Sequence, residues 1–230
     1  MLTFVYSDLF LLENQLPFRV LELLTSSGDG KMFMNAIQRF IDDAVINPAE
    51  DSEWWWEQKE GERIHLLNLL RRRLLVEKEK PWRWAWGFRF IKEARTKRHT
   101  FRNIKELKKA WIWLKASETS CLTDISFKHI FIVGKLWLPP ISVDDSTMNL
   151  IAYEMCPDFD NDLTVTSYMC FLDSLIDGAA DVRELSDAGI VYNGLGSDEV
   201  VAKLFNKMNT DLIPNPMAYR ATYYTIHQRK

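Results

Sequence analysis

The residues able to do chemistry are few and widely spaced. His65, His99, His129 and His227 form neither HxxxH nor HExxH, whereas a zinc site needs three or four convergent ligands. They read as scattered structural or surface histidines. Cys121, Cys156 and Cys170 are an odd set with no CxxC pair, so the expectation is free thiols in a reducing compartment, with neither a zinc knuckle nor a redox dithiol. The run Asp158-Phe-Asp-Asn-Asp162 echoes a calcium loop, yet Leu163 and Met169 stand where an EF-hand needs Gly and Glu. A solvated turn with Asp162 as a helix cap fits better. Asp144-Asp145 likewise reads as a cap and not as a catalytic dyad. Gly194-Leu-Gly196-Ser-Asp precedes a helix, but the phosphate-binding spacings GxGxxG and GxxxxGK[ST] are missing, and Asp198 and Glu199 would repel an anion. There is no GxSxG, and Cys170 lies in a helical apolar run. The reading is of a chain without catalytic residues, metal ligands or cofactor site, and no enzyme activity is expected.

One stretch resists a purely structural reading. In PWRWAWGFRF, the aromatics Trp82, Trp84, Trp86, Phe88 and Phe90 alternate with Arg83, Ala85, Gly87 and Arg89. Period two means a strand with every ring on one face. Core packing is the first reading. A membrane surface comes second, because Trp and Arg suit the headgroup zone, and stacked nucleic-acid bases come last. Trp82, Arg83, Trp84, Trp86, Phe88, Arg89 and Phe90 are therefore the candidate contact residues for an anionic membrane or a protein partner.

The 230 residues carry a net charge of −3, with 47% hydrophobic and 27% charged side chains, which excludes disordered, collagenous and disulfide-rich classes. The mild net charge conceals an uneven layout: residues 1–60 carry −7, residues 61–115 carry +12 and residues 116–230 carry −8. Neutralisation between segments of one fold is the default explanation, an anionic partner the alternative, and nucleic acid is disfavoured. The best membrane-span candidate, Ile125 to Ile141, is interrupted by Lys128, His129, Lys135 and Pro139-Pro140. A cytoplasmic or membrane-peripheral protein is expected.

The elements that must hold these residues are mostly helical. Residues 8–24 carry a stripe at Leu9, Leu12, Leu16, Val20, Leu23 and Leu24, which Phe10, Leu11, Phe18 and Leu21 widen beyond one face. Pro17 predicts a break near Gln15–Leu16 and a second helix beginning with it. Helices are expected over 31–46, 62–76, 103–110, 144–155, 163–177, 179–187 and 197–209, with a last one over 217–227. Trp111 to Leu114, Ile125 to Val133 and Lys135 to Leu138 read as strands, with Gly134 in a turn and Pro139-Pro140 closing the strand region. The fold class is mostly α (α+β), with a small antiparallel sheet or hairpin around residues 111–138. One domain over 1–230 divides into helical 8–78, a Trp/Arg-rich insert 79–102, a short helix and sheet over 103–140, and helical 141–230.

Five blocks in order, DLFLLENQLPFRVLELL (8–24), HLLNLLR (65–71), IKELKKAWIWLK (104–115), LWLPPISVDDSTMNLIAYEM (136–155) and TSYMCF through LFNKM (166–208), resemble the plant DUF247 family, also called UPF0481. The resemblance implies a longer parent, with a family half before residue 8 and a hydrophobic span after residue 227. The segment after Arg71 matches no family motif, and Trp111 stands where relatives have a small Ala-Gly-like step. The family brings no established activity or catalytic residues. Some grass members are associated with pollen-side self-incompatibility, which implies protein–protein recognition by an unknown partner. The alternatives are a peripheral membrane binder acting through 82–90 and a gene fragment without function.

Overall fold

Pro17 sets the first boundary. The computed structural model describes residues 8–25, 30–48, 64–75, 103–159, 161–208 and 212. In it, a 3-10 turn over Leu12–Asn14 gives way to α1 (Phe18–Thr25) directly after the proline. Gln15 sits in the break and is fully engaged. Its amide nitrogen donates to the carbonyls of Leu9 and Leu11, both at 2.8 Å, and its side-chain oxygen accepts from the Leu67 amide at 2.9 Å. The helices that follow are α2 (Gly30–Asp43), α3 (Leu66–Leu75) and α4 (Ile104–Lys109), then α5 (Asp145–Met155), α6 (Thr164–Asp173), α7 (Ala179–Asp187) and α8 (Asp198–Met208). Five strands, β1 (Ile112–Ala116), β2 (Ser126–Ile130), β3 (Val133–Leu138), β4 (Ile141–Val143) and β5 (Val191–Asn193), complete the described elements. The class is α+β and mostly helical. The expected last helix and the 79–102 insert lie outside the described residues.

The expected antiparallel hairpin is present as β2 and β3, and one further strand joins it in parallel. β3 is central, pairing antiparallel with β2 and parallel with β1. The hairpin turn is Phe131-Ile132, while Gly134 lies inside β3 opposite Ile112 and His129. The prolines do not end the strand region either. β4 starts directly after Pro140 and pairs in parallel with β5. Pro139 contributes only its carbonyl, which accepts from the buried Tyr168 hydroxyl. At the far end of β5, a Cβ on Gly194 would lie 2.8 Å from Cβ of Asp144. Only glycine admits that approach.

Helix ends show how distant segments are knotted together. α6 begins with Leu163 at φ 55°, and Leu163 offers no side-chain cap. Its open amides are taken by carboxylates from elsewhere. Asp162 accepts from Thr164 N at 3.2 Å, and Glu154 accepts from Val165 N at 3.0 Å, Thr166 N at 2.7 Å and the Thr166 hydroxyl at 2.8 Å. Negative charge suits a helix N-terminus. Arg71 of α3 binds both acids, through Nε to Glu154 at 2.7 Å and through its terminal nitrogen to Asp162. Glu154 is fully buried and accepts four hydrogen bonds, one of them from its counter-charge Arg71. α5 is capped by Asp144, in a reciprocal box with Thr147, and not by Asp145 or Ser146. Ser197 caps α8 as the sequence indicates.

One core runs through the helices and both sheets, with Phe18, Ile41, Leu67, Leu136, Tyr153, Tyr168, Phe171 and Phe205 among its buried side chains. The face that α1 turns inward differs from the expected one. Phe10 and Phe18 are buried and Leu21 packs against the core, while Leu16, Val20, Leu23 and Leu24 are exposed. The larger aromatic rings won the interior, because they bury the most apolar area. The uneven charge layout is answered within the fold at three points. Arg71 reaches Glu154 and Asp162, Arg73 reaches Asp42 at 2.6 Å, and Lys108 reaches Glu184 at 2.7 Å.

Removing the charge of Glu154 should therefore be costly. Glu154→Gln leaves Arg71 buried with one partner and should lower unfolding stability by about 3–5 kcal/mol, read as a fall in the urea midpoint at unchanged slope.

Candidate functional site

The sequence-level candidates Trp82, Arg83, Trp84, Trp86, Phe88, Arg89 and Phe90 lie outside the described residues, as do His99 and His227. The remaining chemical candidates can be followed. Among the described residues, no group of three or more His, Cys, Asp or Glu is arranged to hold a metal ion. The three cysteines form no disulfide. The Cys170 thiol is pushed up to about 11, first by burial and then by the nearby Asp173 carboxylate, so it is a poor nucleophile.

His65 has moved from a motif-free residue to a buried structural one. It precedes α3, and its Nδ1 accepts from the Asn68 amide at 3.1 Å, the bond of an N-cap. That places the proton on Nε2, which is buried without a partner, as is Oδ1 of Asn68. The ring packs edge-on against Tyr153 at 4.8 Å and Phe159 at 5.8 Å, and Asn68 donates to the Tyr153 hydroxyl at 2.8 Å. Burial holds the imidazole down to about 4, so it is neutral at physiological pH. It organises the α3–α5 packing.

Two exposed surfaces are the stronger candidates. The first belongs to α1 and α2. Leu16, Val20, Leu23 and Leu24 form an outward stripe, and Met32 and Phe33 are exposed at the start of α2. Leu24 and Met32 keep 70% and 69% of their surface in water. Met32 also lines a groove of about 460 Å³ along α2, together with Asn35, Ala36, Arg39, Phe40 and Asp43. Contiguous exposed apolar surface of this kind marks interaction sites.

The second is the outer face of the three-stranded sheet. Register places Trp113, Lys135 and Lys128 in one cross-strand row, and Lys115, Trp137 and Ser126 in the next. Lys128 sits 5.7 Å from the centre of the Trp137 ring, within cation–π range. At the open end of the sheet, Phe131 is 95% exposed and Ile132 72% exposed. Phe131 at φ 53° and Trp111 at φ 57° are both left-handed, at about 1–2 kcal/mol each for a side-chain-bearing residue. Sequence reasoning missed this surface. The signal was there: Trp111, Trp113 and Lys115 alternate, as do Lys135 and Trp137, with the same period two that singled out residues 82–90.

The DUF247 family model, described as plant protein of unknown function, matches residues 1–229. The chain belongs to the DUF247 family. It is similar to UPF0481 protein At3g47200 of Arabidopsis thaliana, at 24% identity over 93% of this chain and 48% of the relative. It is also similar to putative UPF0481 protein At3g02645 of the same plant, at 29% identity over 48% of this chain and 21% of the relative. The chain thus spans at most about half the length of these curated relatives. No solved structure matches. No helix among the described residues is long and apolar enough to cross a membrane.

Two buried groups give opposite pH dependence. The unfolded chain protonates His65 near 6.5 and the folded chain only near 4, so stability falls as pH drops through that window, by up to about 3 kcal/mol. Burial raises Asp173 to about 6 from 3.8, so its contribution rises as pH drops from 6 to 3.8. The expected outcome is that Asp173→Asn is stabilised over wild type at pH 7 and loses that gain on acidification. His65→Asn, which keeps a capping acceptor, should show a shallower acid loss than wild type. Urea unfolding from pH 7 to 4 checks both.

Proposed function

We propose that this DUF247 chain is a non-enzymatic recognition protein that binds another polypeptide through the exposed apolar face of α1 and α2. The observation that carries this reading is the outward stripe Leu16, Val20, Leu23 and Leu24, continued by Met32 and Phe33. A helix whose inner face already fills the core with Phe18 gains nothing in its own fold from three further exposed aliphatic residues, with Leu16 just ahead of it. Val20, Leu23 and Leu24, at steps of three and one on α1, suit the apolar side of a partner helix. Arg39 and Asp43 on the adjoining groove supply polar selectivity at its rim.

The polar groups support the same reading. Both oxygens of Glu154 are occupied by helix amides, a hydroxyl and Arg71. Asp181 accepts from the amides of Asp177 and Gly178, and His65 caps α3. Groups so engaged build the scaffold. Recognition of a self or non-self partner, as implied for some grass relatives, would use such a display surface.

Leu23→Asp with Leu24→Asp tests the proposal, since both residues are exposed and the fold should tolerate the change. Polypeptides selected against the wild-type chain from a plant expression library should, once identified and purified, bind the double variant at least about tenfold more weakly. Undiminished binding by the variant would overturn the assignment of this face. Reproducible turnover of a metabolite would overturn the non-enzymatic reading.

A further inference from the structure

The β2–β3 hairpin contradicts the usual chemistry of its own turn. Two-residue hairpin turns favour Asn, Asp and Gly, which tolerate left-handed backbone and water. Here the turn is Phe131-Ile132, with a phenyl ring in the left-handed region at φ 53° and almost wholly in solvent. A second left-handed aromatic stands at the same end. The Trp111 carbonyl accepts from the Gly134 amide at 2.9 Å, which fixes Trp111 beside the start of β3. Both residues combine a strained backbone with an exposed ring.

The residues behind the tip are ordered by chemistry. Exposed Trp113 comes next along the sheet, level with Lys135 and Lys128 by register, and Lys115 and Trp137 follow one row further back. Strand geometry of about 3.3 Å per residue puts Lys128 roughly 10 Å behind Phe131. The paired strand residues whose side chains share this face carry no carboxylate. An apolar tip, followed by a row in which the Trp113 indole stands level with the Lys128 and Lys135 ammonium groups, matches a bilayer surface, where the acyl boundary gives way to headgroups that carry the lipid anions.

We propose that this end of the sheet docks on an anionic phospholipid surface. Phe131 and Ile132 enter the boundary between headgroups and acyl chains, Trp111 and Trp113 lie at headgroup level, and Lys128 and Lys135 face the lipid anions. An acidic polypeptide would satisfy the lysines but would leave the apolar tip without a role. A single-stranded nucleic acid would stack on rings across the face and gain nothing from Ile132. The surface shares no residue with the α1–α2 face and does not depend on the protein partner proposed for it.

The test is flotation of the full-length chain with phosphatidylcholine vesicles, with and without phosphatidylserine. Wild type should float with the serine-containing vesicles and much less with the neutral ones. Lys128→Glu with Lys135→Glu should weaken that binding about twentyfold, from roughly fivefold per lysine near an anionic surface. Phe131→Asp with Ile132→Asp should weaken it about tenfold or more. Phe131→Gly provides the control for folding: glycine relaxes the left-handed turn, so thermal stability should hold or rise while vesicle binding falls. Absence of wild-type binding would overturn the proposal, as would tip variants that bind like wild type. Competition by polyglutamate that depends on the lysines and ignores the tip would assign the face to an acidic polypeptide instead.

Discussion

A single guanidinium gathers the fold. Arg71 extends from α3 to two carboxylates that themselves occupy the open amides of α6, and one of the two, Glu154, belongs to α5. A buried arginine and a buried glutamate are each expensive to remove from water, and only full hydrogen bonding makes the arrangement tolerable. That condition is met here, because every early amide of α6 has an acceptor and both Glu154 oxygens have donors. The consequence is geometric. Three helices are fixed in register by one charge network, and the surrounding core of Tyr153, Tyr168 and Phe171 packs against a frame that cannot slide. His65 and Gln15 do similar work at the other end of α3, each accepting from an amide of its first turn.

Much of this frame is legible in the sequence. Helices over 31–46, 144–155 and 179–187 follow from apolar spacing and local stop signals, and the structure has them within a few residues. The break before Pro17 follows from the missing N–H. What spacing does not disclose is which of two apolar stripes turns inward. In α1 both are greasy, and the choice went to the aromatic one because ring area is largest. Nor does local chemistry reveal a cap borrowed from another helix: Arg71 and Glu154 are 83 positions apart, and nothing near Leu163 announces them. The Trp–Lys sheet face was readable in part, from alternation within each strand. Its assembly needed the parallel pairing of β1 with β3, which short strands leave undetermined.

The same molecule separates the residues that stabilise it from those it displays. Glu154, Arg71 and Asp181 are engaged in caps and ion pairs, whereas the exposed apolar residues concentrate on the α1–α2 face and at the hairpin tip. Strain is found at the second of these, at Trp111 and Phe131, and a rigid frame is what lets a chain carry strained, exposed aromatics at its margin.

Native-state hydrogen exchange at the α6 N-terminus reads the central network directly. If Arg71 and Glu154 hold the frame, the amides of Val165 and Thr166 should open only with global unfolding and should show the denaturant dependence of the whole chain. The β2–β3 tip should exchange through small local openings under the same conditions. Val165 and Thr166 amides that exchange as freely as the tip, with no denaturant dependence, would contradict the account.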